Sequence, residues 1–254
     1  MTKSNNQQNF LDQIAFNKPT ANHVPTEELS TLFNRKKGKP AAKWEGYLQH
    51  YDRHLESFHH QKLRLLEIGV QAGGSLEIWA EYFNEALLIV GCDIDPFCKA
   101  LRYDDPRIQI IIGDINNAET LKQLDELTKN FDIIIDDGSH HSTDIINSFI
   151  NLFPKLSDRG VYLIEDLHCS YWESYGGGLY DPFSSISFFK KIADIVNRSV
   201  WGLDLVPKDF FIDFMPVINF NSANLDWGFL ADISAVEFCN SICVVHKRAE
   251  PNNA

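Results

Sequence analysis

The sequence predicts a single α/β domain with a Rossmann-like, doubly wound, mostly parallel sheet and an antiparallel C-terminal hairpin. Between residues 62 and 168, short runs that are apolar on both faces alternate with helix-like segments. This alternation is typical of parallel strands covered by helices on both sides. Near the C-terminus, two apolar runs flank a turn at Asn240, which predicts an antiparallel pair that closes the sheet.

The predicted elements follow in order along the chain. A first helix is indicated by apolar residues at three- and four-residue steps, namely Trp44, Tyr47, Leu48, Tyr51, Leu55 and Phe58. Apolar runs predict strands over Leu63–Ile68, Leu87–Cys92, Ile108–Ile112, Phe131–Ile135 and Val161–Ile164. Helices are predicted near Ser75–Phe83, Ala118–Lys129 and Ser142–Phe153, and the hairpin spans Val236–His246.

Composition excludes several classes of partner. The chain of 254 residues has a net charge of −12, which argues against a nucleic-acid backbone or an anionic membrane as partner. The apolar runs are too short to span a bilayer, and the N-terminus has no signal-peptide core. The five cysteines form no CxxC pair and predict reduced thiols in a cytoplasmic protein. The sequence leaves a homo-oligomer open.

A glycine-rich turn and two acids follow three successive strands. The first predicted strand ends in Gly69-x-x-x-Gly73-Gly74, and Gln71 stands where a dinucleotide fingerprint has its second glycine. The turn is therefore nucleotide-like without being typical of NAD. Asp93 ends the second strand, where a ribose diol would be held, and Asp114 ends the third, within reach of an adenine amino group. In this order, the three features predict a site for S-adenosylmethionine.

Four acids end two further strands. Asp136 and Asp137 end one apolar run, and Glu165 and Asp166 end another. Carboxylates brought together at one sheet edge repel each other unless a cation lies among them, and oxygen ligands favour Mg²⁺ or Ca²⁺. The alternative is that Asp136 and Asp137 cap the helix that begins near Ser142, but this accounts for only one acid.

Histidines next to these acids are candidates for acid–base chemistry. We assign the general base to His140, place His141 near the cofactor in a packing role, and keep His168 in reserve. His50 and His54 stand four residues apart, which is a metal-like spacing, but they are interpreted as the polar flank of the first helix.

The chain resembles the class I S-adenosylmethionine-dependent methyltransferases over residues 62–168. Leu66–Ser75 is similar to their first motif, and Gly91–Asp93 to their second. The polar composition of residues 1–40 predicts a flexible N-terminal arm, which is followed by a single methyltransferase domain over 41–247 and a C-terminal tail over 248–254. The residues predicted to bind S-adenosylmethionine are Glu67, Gly69, Gly73, Ser75, Asp93, Asp114, Ile115 and Asp136.

Three further segments resemble a narrower group within this class. They are Ile135–His141, Ile164–His168 and residues 170–178. The group comprises the Mg²⁺-dependent O-methyltransferases of macrolide-sugar biosynthesis and the related methyltransferase of cephalosporin biosynthesis. The resemblance implies that Asp137, Glu165 and Asp166 bind Mg²⁺ and that His140 is the base. It also implies methyl transfer to a hydroxyl of a small-molecule acceptor, a sugar or a natural product.

Two other functions are carried as alternatives. Asp137, His140 and His168 could form the two-histidine, one-carboxylate triad of an Fe(II)-dependent hydroxylase, but this leaves the glycine turn and Asp93 without a role. The other alternative is a non-catalytic module that binds S-adenosylmethionine without turnover.

Overall fold

The computed structural model describes residues 28–219 and 226–249, and its centre is a mostly parallel sheet. The strands are β1 (Arg64–Ile68), β2 (Leu88–Asp93), β3 (Ile108–Ile112), β4 (Phe131–Asp136), β5 (Leu156–Ile164), β6 (Ile233–Phe238) and β7 (Cys243–Lys247). Within the described residues they form a seven-stranded sheet of order β3-β2-β1-β4-β5-β7-β6. The pairs among β1–β5 are parallel, whereas β7 pairs antiparallel with both β5 and β6.

Helices cover both faces of the sheet. They are α1 (Leu29–Arg35), α2 (Glu45–Leu55), α3 (Gly74–Tyr82), α4 (Ala118–Leu127), α5 (Ser142–Leu152), α6 (Ser185–Val196) and α7 (Pro207–Phe210). Neighbouring residues of β1 belong to different cores: Leu65 packs with α1, α2 and α3, and Leu66 packs with α4, α5 and α6. Burial on both faces is why the strands read as continuous apolar runs. The predicted fold class, including the antiparallel end, is confirmed.

β5 is longer than the sequence predicts. It begins at Leu156, five residues before the predicted start at Val161, and the register with β4 shifts in the interval. Asp158 and Arg159 are exposed there, and Arg159 has a left-handed φ of 62°. The bulge places polar residues between buried apolar ones and so interrupts the apolar run. The hydropathy pattern therefore did not indicate the first half of the strand.

The predicted N-terminal arm is only partly within the described residues. Residues 1–27 lie outside them. Residues 28–40 are not a loose arm, because α1 buries Leu29 and Leu32 in the core formed with α2 and α3. The Leu29 amide also donates to Asp52 Oδ1 at 3.1 Å. Two leucines three residues apart form only a short apolar stripe, and the residues around them are polar. The sequence pattern therefore did not predict this helix.

The chain between α1 and α2, residues 36–44, forms a strap that is fastened to α3. Lys36 and Lys39 place their ammonium groups 2.5 and 2.6 Å from the Glu77 carboxylate. The amide of Gly74 donates to the carbonyl oxygen of Pro40 at 3.1 Å. The strap therefore lies across the start of α3, at the edge where the parallel strands end. No helix within residues 28–219 and 226–249 has the length and apolarity needed to cross a bilayer.

Candidate functional site

A cavity of about 520 Å³ opens at the carboxyl ends of the parallel strands. It lies where the strand order reverses between β1 and β4, which is where ligands bind in doubly wound sheets. Its walls are the segments that follow β1–β5, and residues 40–44 of the strap cover it. The volume is in the range of small-molecule sites.

The turn after β1 brings its backbone close to the segment that follows β4. Gly69 has a left-handed φ of 86°, and a Cβ there would lie 2.0 Å from the carbonyl oxygen of Asp137. A side chain at Gly69 would therefore force the two loops apart. Gln71 also has a left-handed φ, of 47°, and lines the cavity.

Asp93 connects this turn to the end of β2. Its Oδ2 accepts from the amides of Val70 at 2.6 Å and Gln71 at 3.0 Å, and its Oδ1 accepts from the Asp95 amide at 2.8 Å. Burial acts to raise the pKa of Asp93, but these amide hydrogen bonds hold it below its usual value. An ionised carboxylate thus lies beside the cavity where a ribose was predicted.

The residues predicted to bind the cofactor fall into two sets. Those that line the cavity are Gly69, Ser75, Asp93, Asp114, Ile115 and Asp136. Glu67 lies behind the cavity, fully buried, and accepts from Ser75 Oγ at 2.5 Å and Trp79 Nε1 at 3.1 Å. At Gly73 a Cβ would lie 2.3 Å from the Tyr103 hydroxyl, so this glycine faces the protein. Glu67 and Gly73 are therefore placed to shape the turn.

Two of the predicted metal ligands and the predicted base lie together in the wall of the cavity, in the segments that follow β4 and β5. Ligand atoms of Asp137, His140 and Asp166 all lie within 4.8 Å of one another. His140 Nε2 is 3.4 Å from Asp166 Oδ2 and 4.0 Å from Asp137 Oδ1. His140 and Asp166 have left-handed φ values of 57° and 50°. Such backbone strain is costly away from glycine and concentrates at functional sites.

Glu165 is next to this cluster but is more deeply buried. Its Oε1 is 2.5 Å from Lys43 Nζ and also accepts from the Tyr51 hydroxyl. Burial raises the pKa of Glu165 to about 7, against the lowering effect of Lys43. The hydrogen bonds that Glu165 accepts from residues 28–219 and 226–249 reach only Oε1. Glu165 is not among the ligand atoms that lie within 4.8 Å of one another, which belong to Asp137, His140 and Asp166. The Asp137 and Asp166 carboxylates, with Glu165 next to Asp166 in the chain, supply the oxygen ligands that a hard divalent cation prefers.

Lys43 is a site residue that the sequence analysis missed. Its ammonium is 2.7 Å from Asp137 Oδ2 and 3.5 Å from Glu67 Oε1, in addition to its contact with Glu165, and its side chain is 1% exposed. Burial alone would lower the pKa of Lys43, but the surrounding carboxylates raise it well above its usual value. The strap thus delivers one fixed positive charge into a group of three carboxylates.

α2 contributes two hydroxyl groups to the same carboxylates. Tyr47 donates to Asp166 Oδ1 at 2.5 Å, and Tyr51 donates to Glu165. Burial, followed by the neighbouring carboxylates, raises the pKa of both phenols, so they stay protonated and act as donors. The sequence pattern predicts both tyrosines as members of an apolar stripe. Two tyrosines four residues apart, one turn after a lysine, were the signal available.

Asp136 is a buried acid rather than a helix cap. Its Oδ2 accepts from the Tyr162 hydroxyl at 3.1 Å, and burial raises its pKa to about 7. The N-terminal cap of α5 is His141, with no side-chain capping hydrogen bond. The alternative that Asp136 and Asp137 cap this helix is therefore wrong.

The three candidate histidines occupy different surroundings. His140 lines the cavity. The His141 ring lies against Gly176, where a Cβ would be 2.5 Å from its Cε1. His168 places Nδ1 2.5 Å from Ser241 Oγ, and its ring packs between Trp44 and Trp172, at centroid distances of 4.9 and 4.8 Å. The Fe(II) triad is not supported, because the third member of the cluster is Asp166 and not His168.

Comparisons with known proteins agree with this geometry. Residues 66–167 match the family model described as a methyltransferase domain. The chain is 37% identical over 163 residues to the mycinamicin VI 2''-O-methyltransferase of Micromonospora griseorubida, a match covering 60% of this chain and 40% of that protein. It is 36% identical over 163 residues to the demethylmacrocin O-methyltransferase of Streptomyces fradiae, with the same coverage. The matches extend over 40–42% of the length of such curated relatives.

A solved structure shares most of the fold. The MycE methyltransferase from the mycinamycin biosynthetic pathway, in complex with Mg and SAH, superimposes with a TM-score of 0.70 at 29% sequence identity. The superposition covers 89% of this chain and 55% of that one. The same enzyme with Mg, SAH and mycinamycin VI gives a TM-score of 0.68 at 28% identity, over 90% of this chain and 57% of the other. The resemblance to class I methyltransferases and to the macrolide-sugar group is confirmed.

Proposed function

We propose that this chain, whose residues 66–167 match a methyltransferase domain, transfers a methyl group from S-adenosylmethionine to a hydroxyl oxygen of a small molecule with the help of Mg²⁺. The observation that carries the proposal is the Asp137–His140–Asp166 cluster, which shares one cavity with the glycine turn and Asp93. One part of the cavity wall has the features of a nucleoside site, and another part has oxygen donors beside an imidazole. The relatives named above are O-methyltransferases.

The reaction needs a nucleophilic oxygen and a place for its proton. The hydroxyl oxygen forms a bond to the methyl carbon while the carbon–sulfur bond of the sulfonium breaks, and the hydroxyl proton passes to His140 Nε2. Asp166 Oδ2, at 3.4 Å, stabilises the resulting imidazolium. Asp137, Asp166 and Glu165 would hold Mg²⁺, which supplies positive charge that lowers the pKa of the hydroxyl. Tyr47 keeps the Asp166 carboxylate in place through its hydrogen bond.

A sugar or natural-product acceptor is part of the proposal. Trp44 lines the cavity with 55% of its surface exposed, and Trp172, across His168, is 49% exposed. Aromatic faces of this kind can pack against the apolar face of a ring. The net charge of −12 supports a small molecule over a nucleic acid as acceptor. A cytoplasmic location is supported by the five cysteines, all free thiols.

The first prediction concerns cofactor affinity. Asp93→Ala should weaken S-adenosylmethionine binding by on the order of 100-fold, because two charge-assisted hydrogen bonds together contribute about 3 kcal/mol. Titration calorimetry measures this directly. Asp209→Ala, at an exposed acid of α7, should leave the affinity unchanged. No binding by the unaltered protein, or equal binding by Asp93→Ala, would refute the cofactor site.

The second prediction concerns the metal. Turnover of labelled S-adenosylmethionine, measured with a panel of sugar-bearing acceptors, should cease after exhaustive chelation and return with Mg²⁺. Cofactor affinity should change little, because the carboxylate cluster follows β4 and β5, whereas Asp93 ends β2 on the other side of β1. Asp166→Asn should raise the Mg²⁺ concentration needed for half-maximal rate. Full activity in chelator would exclude a metal-dependent reaction, and binding without turnover of any acceptor would favour the non-catalytic alternative.

A further inference from the structure

A second cluster of potential ligands lies away from the cavity, between α2 and the C-terminal hairpin. His54 of α2, Glu237 of β6 and His246 of β7 place one ligand atom each within 4.8 Å of the others. His246 pairs with Ala235, so Glu237 is its diagonal neighbour on the same face of the hairpin. α2 covers that face and directs His54 toward both. The sequence pattern predicts a polar helix flank at His54, but this residue is only 7% exposed.

Each imidazole has a buried ring nitrogen that faces Glu237 but makes no hydrogen bond of good geometry. His54 Nε2 and His246 Nε2 are buried and make no hydrogen bond within the described part of the chain. Glu237 Oε2 is 3.9 Å from His54 Nε2, and Glu237 Oε1 is 3.4 Å from His246 Nε2. Buried polar atoms without partners are rare and call for an explanation. Here both nitrogens point toward one carboxylate, and the ring centroids are 5.3 Å apart.

We infer that His54, Glu237 and His246 form a second metal site, which takes a zinc-class divalent cation. Two imidazoles and one carboxylate are a recurrent protein ligand set for Zn²⁺, with water in the fourth position. Imidazole nitrogen favours Zn²⁺ over Mg²⁺, so this site, with two imidazoles and one carboxylate, differs in chemistry from the cavity cluster, which has two carboxylates and one imidazole. Glu237 and His246 side chains are 34% and 25% exposed, which leaves a path for the ion and the water.

The charges around the cluster are compatible with a cation. Glu237 is a carboxylate that faces both imidazoles and supplies a negative charge beside them. Arg53 places a guanidinium nitrogen 2.8 Å from Glu237 Oε2, but the arginine side chain is 64% exposed and can turn into solvent. Glu237 Oε1, on the side of His246, is not used by this ion pair.

The position of the site suggests what a bound ion would do. α2 presents Tyr47 and Tyr51 to Asp166 and Glu165, and His54 continues the same helix face by one turn. A metal at His54 would fasten α2 to the hairpin and so hold both tyrosines against the catalytic carboxylates. The inference about metal binding does not depend on the proposed reaction.

Zinc binding to the untagged protein tests the inference. Equilibrium dialysis against Zn²⁺ in excess Mg²⁺ should give one tightly held Zn²⁺ per chain, measured by atomic emission. His54→Gln and His246→Gln should each weaken binding by at least about tenfold, since even outer-shell changes at metal sites cost that much. The His59→Gln/His60→Gln variant removes two neighbouring histidines outside the cluster and should bind as the unaltered protein does, as should Asp166→Asn.

X-ray absorption of the zinc-loaded, unaltered protein gives a second answer that does not require any variant to fold. Two imidazole nitrogens and additional oxygen ligands are expected at the zinc. Absence of stoichiometric zinc binding in excess Mg²⁺ would overturn the inference, as would a zinc coordinated by fewer than two imidazoles. Equal affinity in folded His54→Gln and His246→Gln proteins would do the same.

Discussion

Replacing His140 by alanine is expected to lower kcat by roughly 10²- to 10⁴-fold, the range for removal of a general base. The reason is positional. Among the three candidate histidines, His140 lines the cavity and has its Nε2 3.4 Å from Asp166 Oδ2. Single-turnover kinetics with saturating S-adenosylmethionine and Mg²⁺ isolates the chemical step. Calorimetric affinity for the cofactor should be nearly unchanged, because His140 follows β4, whereas Asp93 ends β2 on the other side of β1.

Two other histidines supply matched controls for this experiment. His141→Ala should affect the chemical step less, since its ring packs against Gly176. His168→Ala should act mainly on KM for the acceptor, because its ring supports the two exposed tryptophans and its Nδ1 contacts Ser241. A near-normal kcat in His140→Ala together with a large loss of kcat in His168→Ala would show that His140 is not the base and that His168 is. If none of the three alanine substitutions lowers kcat, none of these histidines acts as a general base, and that part of the proposed mechanism is wrong.

The fold could be predicted because its physical signals are local. Strands buried on both faces give continuous apolar runs, and every predicted strand is present, with ends that agree within one or two residues except at the starts of β5 and β6. The acids of the site could be predicted for a related reason. A polar residue that directly follows an apolar parallel strand has to lie at the carboxyl end of that strand, where the ends of the other parallel strands also lie. Asp93, Asp137 and Asp166 were found in this way, and their assigned roles in binding remain predictions.

The missed residues act through contacts between distant segments. Lys43 stands in a polar stretch, and only the folded strap shows that its ammonium is buried among one carboxylate of β1 and two that directly follow β4 and β5. Tyr51 is spaced as a core residue and is one, but its hydroxyl reaches Glu165. His54 follows the same face into contact with a hairpin almost 200 residues away along the chain. Helical periodicity reports that a face is buried and gives no information on what it meets.

Lys43 is expected to contribute more to stability than its place in a polar segment would indicate. Lys43→Met should lower the free energy of unfolding by about 3–5 kcal/mol at pH 8, the cost of leaving buried charges without their partner. Urea denaturation in the presence of a chelator measures this without a divalent cation that could replace the ammonium. Lys39→Met is the matched control, because its partly exposed pair with Glu77 should contribute only about 0–1 kcal/mol.

The pH dependence separates a charge effect from a loss of packing. In the folded protein, burial raises the pKa of Glu165 to about 7, and Lys43 acts against that rise. A carboxyl group with a raised folded-state pKa loses stability as pH rises from its unfolded pKa through the folded one. Without the ammonium, the pKa of Glu165 should be higher still, so this loss continues to a higher pH than in the unaltered protein.

The free energy of unfolding of Lys43→Met should therefore fall further below that of the unaltered protein as the pH rises from 5 to 8. This difference is called the deficit below. At pH 5, Glu165 is protonated in both proteins, and what remains of the deficit reflects Asp137, Glu67 and lost packing of the lysine stem. At pH 8, folding of the variant has to keep Glu165 either protonated, at a pH well above its unfolded pKa, or charged and buried without the ammonium of Lys43. Both alternatives lower the free energy of unfolding. A deficit that is the same at both pH values, or no larger than that of Lys39→Met, would show that the buried ammonium does not stabilise the carboxylates in the way its geometry indicates.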